Sequence, residues 1–272
     1  MTKSIPSWQL PPGVSRGTWD YISSAAIAEQ YDAYVADNPL LELDQRLTLD
    51  LVAELQQIRS TQEIVVADLG CGTGRIAQAV LPTGCRMMNV DLSKSMLSVL
   101  QGKIPVEYQE KNECVHASLV DVGQAIPASS VDLAVCLFSS LGMIRGREFR
   151  RRCLAGVYSC LKPGGKFLLH AHNRYLSLFD PGGLSWLART RVSSLVGQDV
   201  EFGDRVYAYR NLPKMFLHIY SHRELLQDLR AAGFDHTSIR GVKATGEQLM
   251  LRRLGWTLRA GGFFATAEKS YS

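Results

Sequence analysis

Val65-Val66-Ala67-Asp68-Leu69-Gly70-Cys71-Gly72-Thr73-Gly74 passes from a short apolar stretch into three alternate glycines. The run from Ile64 to Leu69, rich in β-branched residues and closed by glycine, reads as a buried strand. Glycines at 70, 72 and 74 let the backbone turn sharply and approach a ligand with no Cβ in the way, and a helical pattern resumes at Ile76. Strand, glycine-rich turn and helix together form the junction at which open α/β sheets bind nucleotide-like ligands. Spacing then separates the chemistries. The dinucleotide fingerprint G-x-G-x-x-G needs glycine at position 75, where Arg75 stands, and the phosphate loop needs a Gly-Lys-Ser/Thr end that is absent.

Downstream of that turn, strand-like and helix-like runs alternate: RMMNVD, then Lys94 to Leu100; ECVHAS; VDLAVCLF, then Arg147 to Leu161; and GKFLLHA. Such alternation implies right-handed crossovers and a doubly wound, mainly parallel sheet. Lys162-Pro163-Gly164-Gly165 stops the long helix. Ser221-His222-Arg223-Glu224 reads as a capping box opening a helix that Gly233 closes, and FDHTSIRGV and GGFFATAE supply two last strands. Asp91 closes the run RMMNVD about 20 residues after the turn, where an acid accepts hydrogen bonds from both hydroxyls of a ribose.

An acid two residues before G-x-G-x-G, with a second acid ending the next strand, resembles the class I S-adenosylmethionine-dependent methyltransferases, over roughly Ile64 to Leu169. The resemblance implies a Rossmann-like seven-stranded sheet, mainly parallel with an antiparallel last strand. It also implies S-adenosyl-L-methionine as cofactor: Asp68, Gly70, Gly72 and Gly74 at its methionine end, Asp91 on its ribose, Leu92 and Met96 against its adenine. Relatives end the third strand in Gly-Asp-Ala; here Ala117-Ser118-Leu119 stand there, so Ser118 and Leu119 would flank the adenine with a serine in the acid's place. Cys136, Leu137 and Phe138 fall where relatives line the methionine portion, and Leu161-Lys162-Pro163-Gly164-Gly165 matches a further signature.

Around this core, residues 1–18 read as a loose arm that buries little. Residues 19–60 hold two helical stretches broken at Asn38-Pro39, placed to cover the site. The core takes 61–172 and 221–272, and the aperiodic stretch 173–220 reads as an insertion that caps the substrate. With 272 residues and 46% hydrophobic residues, the chain can bury a sizeable core. No apolar run approaches a membrane span, the N-terminus lacks a secretory pattern, and six scattered cysteines suggest reduced thiols, so a soluble cytoplasmic enzyme is expected.

A sulfonium is already a good leaving group, so alignment of the acceptor supplies most of the acceleration, and a base is needed only for an acceptor that holds its proton. His170 and His172, two apart at the end of the fifth strand, share a face and are candidates for that base, or simply packed histidines. Asn173 is a candidate to orient the acceptor, and Tyr31, in a Tyr-Asp pair, resembles the aromatic of small-molecule methyltransferases whose N-terminal helices close over the cofactor. Phe179, Trp186, Tyr207, Tyr209, Arg210, Met215 and Phe216 supply aromatic and cationic groups suited to a flat or anionic small substrate, or form the cap's own core.

His218 and His222 with the first pair raise a metal reading, set aside because no carboxylate accompanies either pair in sequence. Arg145, Arg147, Arg150, Arg151 and Arg152 read as a solvated helix face or, more sharply, as a phosphate-contacting patch for transfer RNA. The net charge of +4 demands no polyanion. Methyl transfer to an oxygen or nitrogen of a small molecule is therefore the expected activity. An RNA methyltransferase and a non-catalytic partner subunit are the alternatives.

Overall fold

Among the described residues nine strands form, seven of them at the strand-like runs and β6 and β7 outside them: β1 Val65–Leu69, β2 Arg86–Asp91, β3 Asn112–His116, β4 Val131–Cys136, β5 Leu161–His172, β6 Asp204–Tyr209, β7 Leu212–His218, β8 His236–Val242 and β9 Gly262–Glu268. The computed structural model describes residues 6–197, 199–209, 212–251 and 254–271. Seven strands make one sheet in the order β3-β2-β1-β4-β5-β9-β8, while β6 and β7 pair by themselves. Strands β1 to β5 run parallel, and β9 is antiparallel to both β5 and β8. This is the mainly parallel, doubly wound sheet the alternation implied, with the seven strands and antiparallel last strand the resemblance implied. The order reverses between β2-β1 and β4-β5, so a crevice opens at the carboxyl ends of β1 and β4.

Helices cover both faces, because each central strand is apolar on both sides. On one face Ala67, Leu69, Ala134 and Cys136 pack against Leu154 and Val157 of α7 (Arg147–Cys160) and Leu225 and Leu229 of α9 (His222–Ala231). On the other, Val66, Leu133 and Val135 meet α3 (Leu40–Ile58), α4 (Arg75–Val80) and α5 (Lys94–Lys103). Gly74 begins α4 at φ +84°, and a Cβ there would lie 2.4 Å from Leu100 Cγ, so only glycine lets α4 and α5 come this close. Ser221 caps α9 as expected, Glu224 N–H donating to its Oγ at 3.2 Å, but the box does not close, because the Glu224 carboxylate is taken by His218 and Arg174.

The N-terminal region holds three longer helices rather than two: α1 Arg16–Ile22, α2 Ala25–Val35 and α3. Ser15 and Ser24 are the cause, because each hydroxyl accepts a backbone N–H three residues on and so opens its own helix. The end of the expected loose arm is docked. Thr18 is buried, and a Cβ on Gly17 would fall 1.7 Å from the Lys214 carbonyl oxygen of β7. The insertion contains α8 (Gly183–Leu195) and the β6–β7 hairpin. The short helices α6 (Val122–Ala125) and α10 (Trp256–Arg259) complete the chain.

A cluster of charge pins the hairpin to the core. Arg150, fully buried on α7, donates to Glu201 at 2.6 Å; Arg174 pairs with Glu224; and His218 at the end of β7 lies between Asp204 at 2.7 Å and Glu224 at 2.9 Å. Burial holds His218 down at about 4. Buried charges persist only when paired in this manner.

Candidate functional site

At the carboxyl ends of β1 and β2 the glycine turn folds back on its neighbour. Gly70 N–H and Cys71 N–H both donate to the Val90 carbonyl, at 2.8 and 3.1 Å, and Gly72 N–H donates to Asp91 Oδ2 at 2.9 Å. Asp91 Oδ1 takes Ser93 N–H at 2.7 Å. The second acid is thus locked to the first turn by backbone donors, with carboxylate lone pairs left for a ligand. Gly70, Gly72 and Gly74 have φ of +81°, +53° and +84°, left-handed conformations that favour glycine.

Asp68 ends β1 almost wholly buried, at 3% exposure, and has no ion-pair partner among the described residues. Burial, reinforced by the nearby Asp91 charge and opposed by Arg75, raises its carboxyl to about 7. Burial also raises Asp91, against the pull of its two backbone bonds. A buried, unpaired carboxylate facing a cavity is a site for a cationic group. Arg75 lines the same cavity but is engaged, donating to the Leu41 carbonyl at 2.8 Å and to Asp44 at 3.0 Å. Asp32 is likewise held by Lys103 and by Thr73 at 2.5 Å.

One cavity gathers most of the residues singled out in the sequence: Asp68, Gly70, Gly72, Asp91, Leu92, Met96, Ser118, Leu119, Leu137, Phe138, Tyr31 and His172. Tyr207, Tyr209 and Met215 reach it from the hairpin. Ser118 keeps a hydroxyl proton to offer, since its Oγ accepts Val120 N–H at 3.2 Å. Tyr31 lies over the glycine turn, its ring 3.7 Å from where a Gly72 Cβ would stand. Phe138 and Ser139, at φ +52° and +64°, hold a conformation costly for residues with side chains, a strain that clusters at functional sites.

Other expectations need correcting. Gly74 does not line the cavity; it serves the α4–α5 contact. Cys136 points into the core from β4 and is 1% exposed. His170 is buried behind His172, between that ring at 5.2 Å and Phe264 at 5.0 Å, and neither of its nitrogens has a hydrogen-bond partner among the described residues. Burial drives His170 well below the ordinary imidazole range and lowers His172 as well. Asn173 is a strut: its amide donates to the Thr257 and Ala260 carbonyls at 2.8 Å each and accepts Tyr175 N–H. Arg210 lies outside the described residues. In the insertion Phe216 is buried, Phe179 is exposed, and Trp186 stacks under Arg205.

The arginine run is a largely solvent-facing helix surface, with Arg150 alone of the five buried, and most of its charge is met by acids. Arg147 and Arg151 share the buried Asp228, Arg150 takes Glu201, Arg152 takes Asp121 and Arg145 donates to the Asp199 carbonyl. Carboxylates do accompany one histidine: Glu201 and Glu224 bring ligand atoms within 4.8 Å of each other and of His218, yet both are already neutralised by arginine. His222 packs instead on Trp256 and Phe263.

Several lining residues carry no sequence signal: Val14, Tyr21, Met143, Ile144 and Leu217. Tyr21 sits on α1, whose ring edge meets Tyr209 at 6.2 Å. Among the described residues no helix is long and apolar enough to cross a membrane.

Residues 67–167 match the family model of a methyltransferase domain. A protein of Geobacillus sp. (strain WCH70) named for methyltransferase activity is 27% identical over 115 residues, covering 40% of this chain and 43% of its own length. The chain therefore spans under half of that curated relative. Among solved structures, the CcbJ methyltransferase of Streptomyces caelestis aligns with TM-score 0.62 at 17% identity, over 92% of this chain and 99% of its own. The 1,6-didemethyltoxoflavin-N1-methyltransferase of Burkholderia thailandensis gives 0.57 at 18%, over 96% and 93%. An S-adenosylmethionine-dependent methyltransferase of Methanosarcina mazei gives 0.57 at 19%, over 78% and 95%. At these identities the likeness is one of fold.

Proposed function

We propose that this chain, a class I methyltransferase by its fold and by the domain at residues 67–167, transfers a methyl group from S-adenosyl-L-methionine to an oxygen or nitrogen of a small molecule. The observation that carries the reading is the pair Asp68 and Asp91: a buried acid and a half-buried one at the switch point of the sheet, held in one cavity by the glycine turn between them. A fold kept only as a scaffold has no use for a buried carboxylate without a partner, since it destabilises the folded state.

The residues present fit the cofactor. Asp68 would take the cationic amino end, the turn at Gly70 and Gly72 would let the methionine chain approach, and Asp91 would accept both ribose hydroxyls. Leu92, Met96, Ser118 and Leu119 would flank the adenine, with Leu137 and Phe138 along the methionine portion. When bound, the cofactor supplies a methyl group on an already activated sulfonium. The protein's part is to hold the acceptor in line and keep water out, which is the task of α1, α2 and the β6–β7 hairpin roofing the cavity.

The Burkholderia enzyme, whose structure holds 1,6-didemethyltoxoflavin and S-adenosylhomocysteine, supports the small-molecule reading. So does the pairing of four of the five arginines of the basic run with acids, which lowers the charge they could offer to phosphates. Thermal unfolding with and without S-adenosylhomocysteine tests the proposal. At a hundredfold excess over Kd a ligand of the native state adds about 2.7 kcal/mol. The midpoint should rise by several degrees with this ligand and stay put with ATP or NAD. An unmoved midpoint with all three would overturn the reading.

A further inference from the structure

Beyond the two acids, the cavity wall changes character. Tyr21, Tyr207, Tyr209, Met143, Met215 and Leu217 converge on it from α1, the loop after β4 and the hairpin. Tyr21 and Tyr207 set their rings at 66° and 78° to Tyr209, with centroids 6.2 and 6.5 Å away. A further ring entering such a wall meets edges and faces at the spacing aromatic pairs prefer, and methionine adapts around it. The charges that line the cavity are all spoken for. Asp68 and Asp91 belong to the cofactor end, Arg75 is paired with Asp44, and Asp32 with Lys103. A charged acceptor would thus lose its hydration with no counter-ion in return.

One polar side chain in this half stands apart. His172 lines the cavity at the end of β5, its backbone N–H fixed on Ser139 Oγ at 2.9 Å, while no hydrogen bond to its imidazole is seen among the described residues. Behind it stands the buried ring of His170. Burial keeps His172 neutral at pH 7, so one ring nitrogen is free to accept a proton. The same burial makes it a weak base, able to assist only an acceptor proton that is already fairly acidic.

Resting on the cofactor reading above, we infer that the acceptor is an uncharged planar aromatic compound whose ring hydroxyl or ring N–H is hydrogen-bonded to His172. The acceptor's lone pair forms the new bond to the methyl carbon as the carbon–sulfur bond breaks and its electron pair stays on sulfur. The acceptor's proton moves to His172, and the resulting imidazolium gives it to solvent as product leaves. Aromatic hydroxyls and the N–H groups of electron-poor rings meet the acidity this requires; aliphatic alcohols and the N–H groups of electron-rich rings do not.

The test uses the full chain and reads binding rather than turnover. S-adenosylhomocysteine is titrated first, and then, with that site saturated, three probes: 2-naphthol, 2-naphthoate and cyclohexanol. 2-Naphthol should bind at least tenfold more tightly than either of the others. In protein with ¹⁵N-labelled histidine it should shift the ring nitrogens of one histidine, whose signal is missing from His172→Gln; that variant should bind 2-naphthol about fivefold more weakly, the worth of one hydrogen bond, with unchanged affinity for S-adenosylhomocysteine. Equal or tighter binding of 2-naphthoate or cyclohexanol overturns the inference, as does 2-naphthol binding that leaves the His172 nitrogens unmoved. No binding of any probe to protein that does take S-adenosylhomocysteine overturns this inference alone. No binding of S-adenosylhomocysteine sinks the cofactor reading and the inference together.

Discussion

The two halves of the cavity are built in opposite ways. The half around Asp68 and Asp91 comes from consecutive strand ends, and its parts are tied by backbone N–H groups: Gly70 onto the Val90 carbonyl, Gly72 and Ser93 onto the Asp91 carboxylate. The other half is assembled from the segment before α1, the loop after β4, the end of β5 and the hairpin, held together by packing and by the ionic cluster at Arg150, Glu201 and His218. Backbone bonds fix a geometry that tolerates side-chain change; packing between distant segments permits a new wall whenever a segment changes. A conserved chemistry suits the first kind of construction and a variable acceptor suits the second.

Substitutions in one half should leave the other standing. The largest effect is expected at Asp68→Ala, which removes the carboxylate proposed to pair with the cofactor's ammonium: affinity for S-adenosylmethionine should fall about a hundredfold or more by calorimetry, with the circular dichroism spectrum unchanged. Next comes Gly17→Ala. Its Cβ would collide with the Lys214 carbonyl, pushing α1 off β7. Overpacking of this kind costs about 2 kcal/mol in urea unfolding. 2-Naphthol binding should be lost, and affinity for S-adenosylhomocysteine should fall less, since α1 touches the Asp91 half only at its end, where the Ile22 carbonyl accepts Ser93 Oγ–H.

A smaller effect follows from protons. With the Asp68 carboxyl at about 7, it is ionised above that pH and protonated below it. Only the ionised form pairs with an ammonium, so affinity for S-adenosylmethionine should drop about tenfold for each pH unit below 7, in calorimetry at pH 5, 6 and 7. Asp68→Asn should be weak throughout and lose this slope. Least of all is Arg152→Ala, which breaks an exposed pair with Asp121 worth under about 1 kcal/mol, and should leave ligand affinities and their salt dependence as they were. A steep loss of affinity for RNA in that variant would instead revive the arginine patch.

The same contrast explains what could be read from the sequence. The strand order around β1, the helix cap at Ser221 and the clustering of Asp68, Gly70, Gly72 and Asp91 depend on residues within a turn or a crossover of each other, and spacing reports such geometry. Depth and long-range pairing leave no such trace. Two-residue spacing places His170 and His172 on one side of β5, but only the packing of Phe264 from β9 shows that His170 is sealed behind its neighbour. Asn173 is spent on the carbonyls of Thr257 and Ala260, some 85 residues later. The arginines of α7 find Glu201 and Asp228 at 51 to 81 residues' distance. The hairpin strands escaped notice because β6 is largely solvent-facing and lacks a clear apolar alternation.

The most direct test of the central claim is isothermal titration of the full chain, and of its Asp68→Asn variant, with S-adenosylmethionine at pH 7.5. The account predicts micromolar binding to the intact chain and none to the variant at the same concentrations. Absence of heat with the intact, folded chain, or equal affinity in the variant, would contradict it.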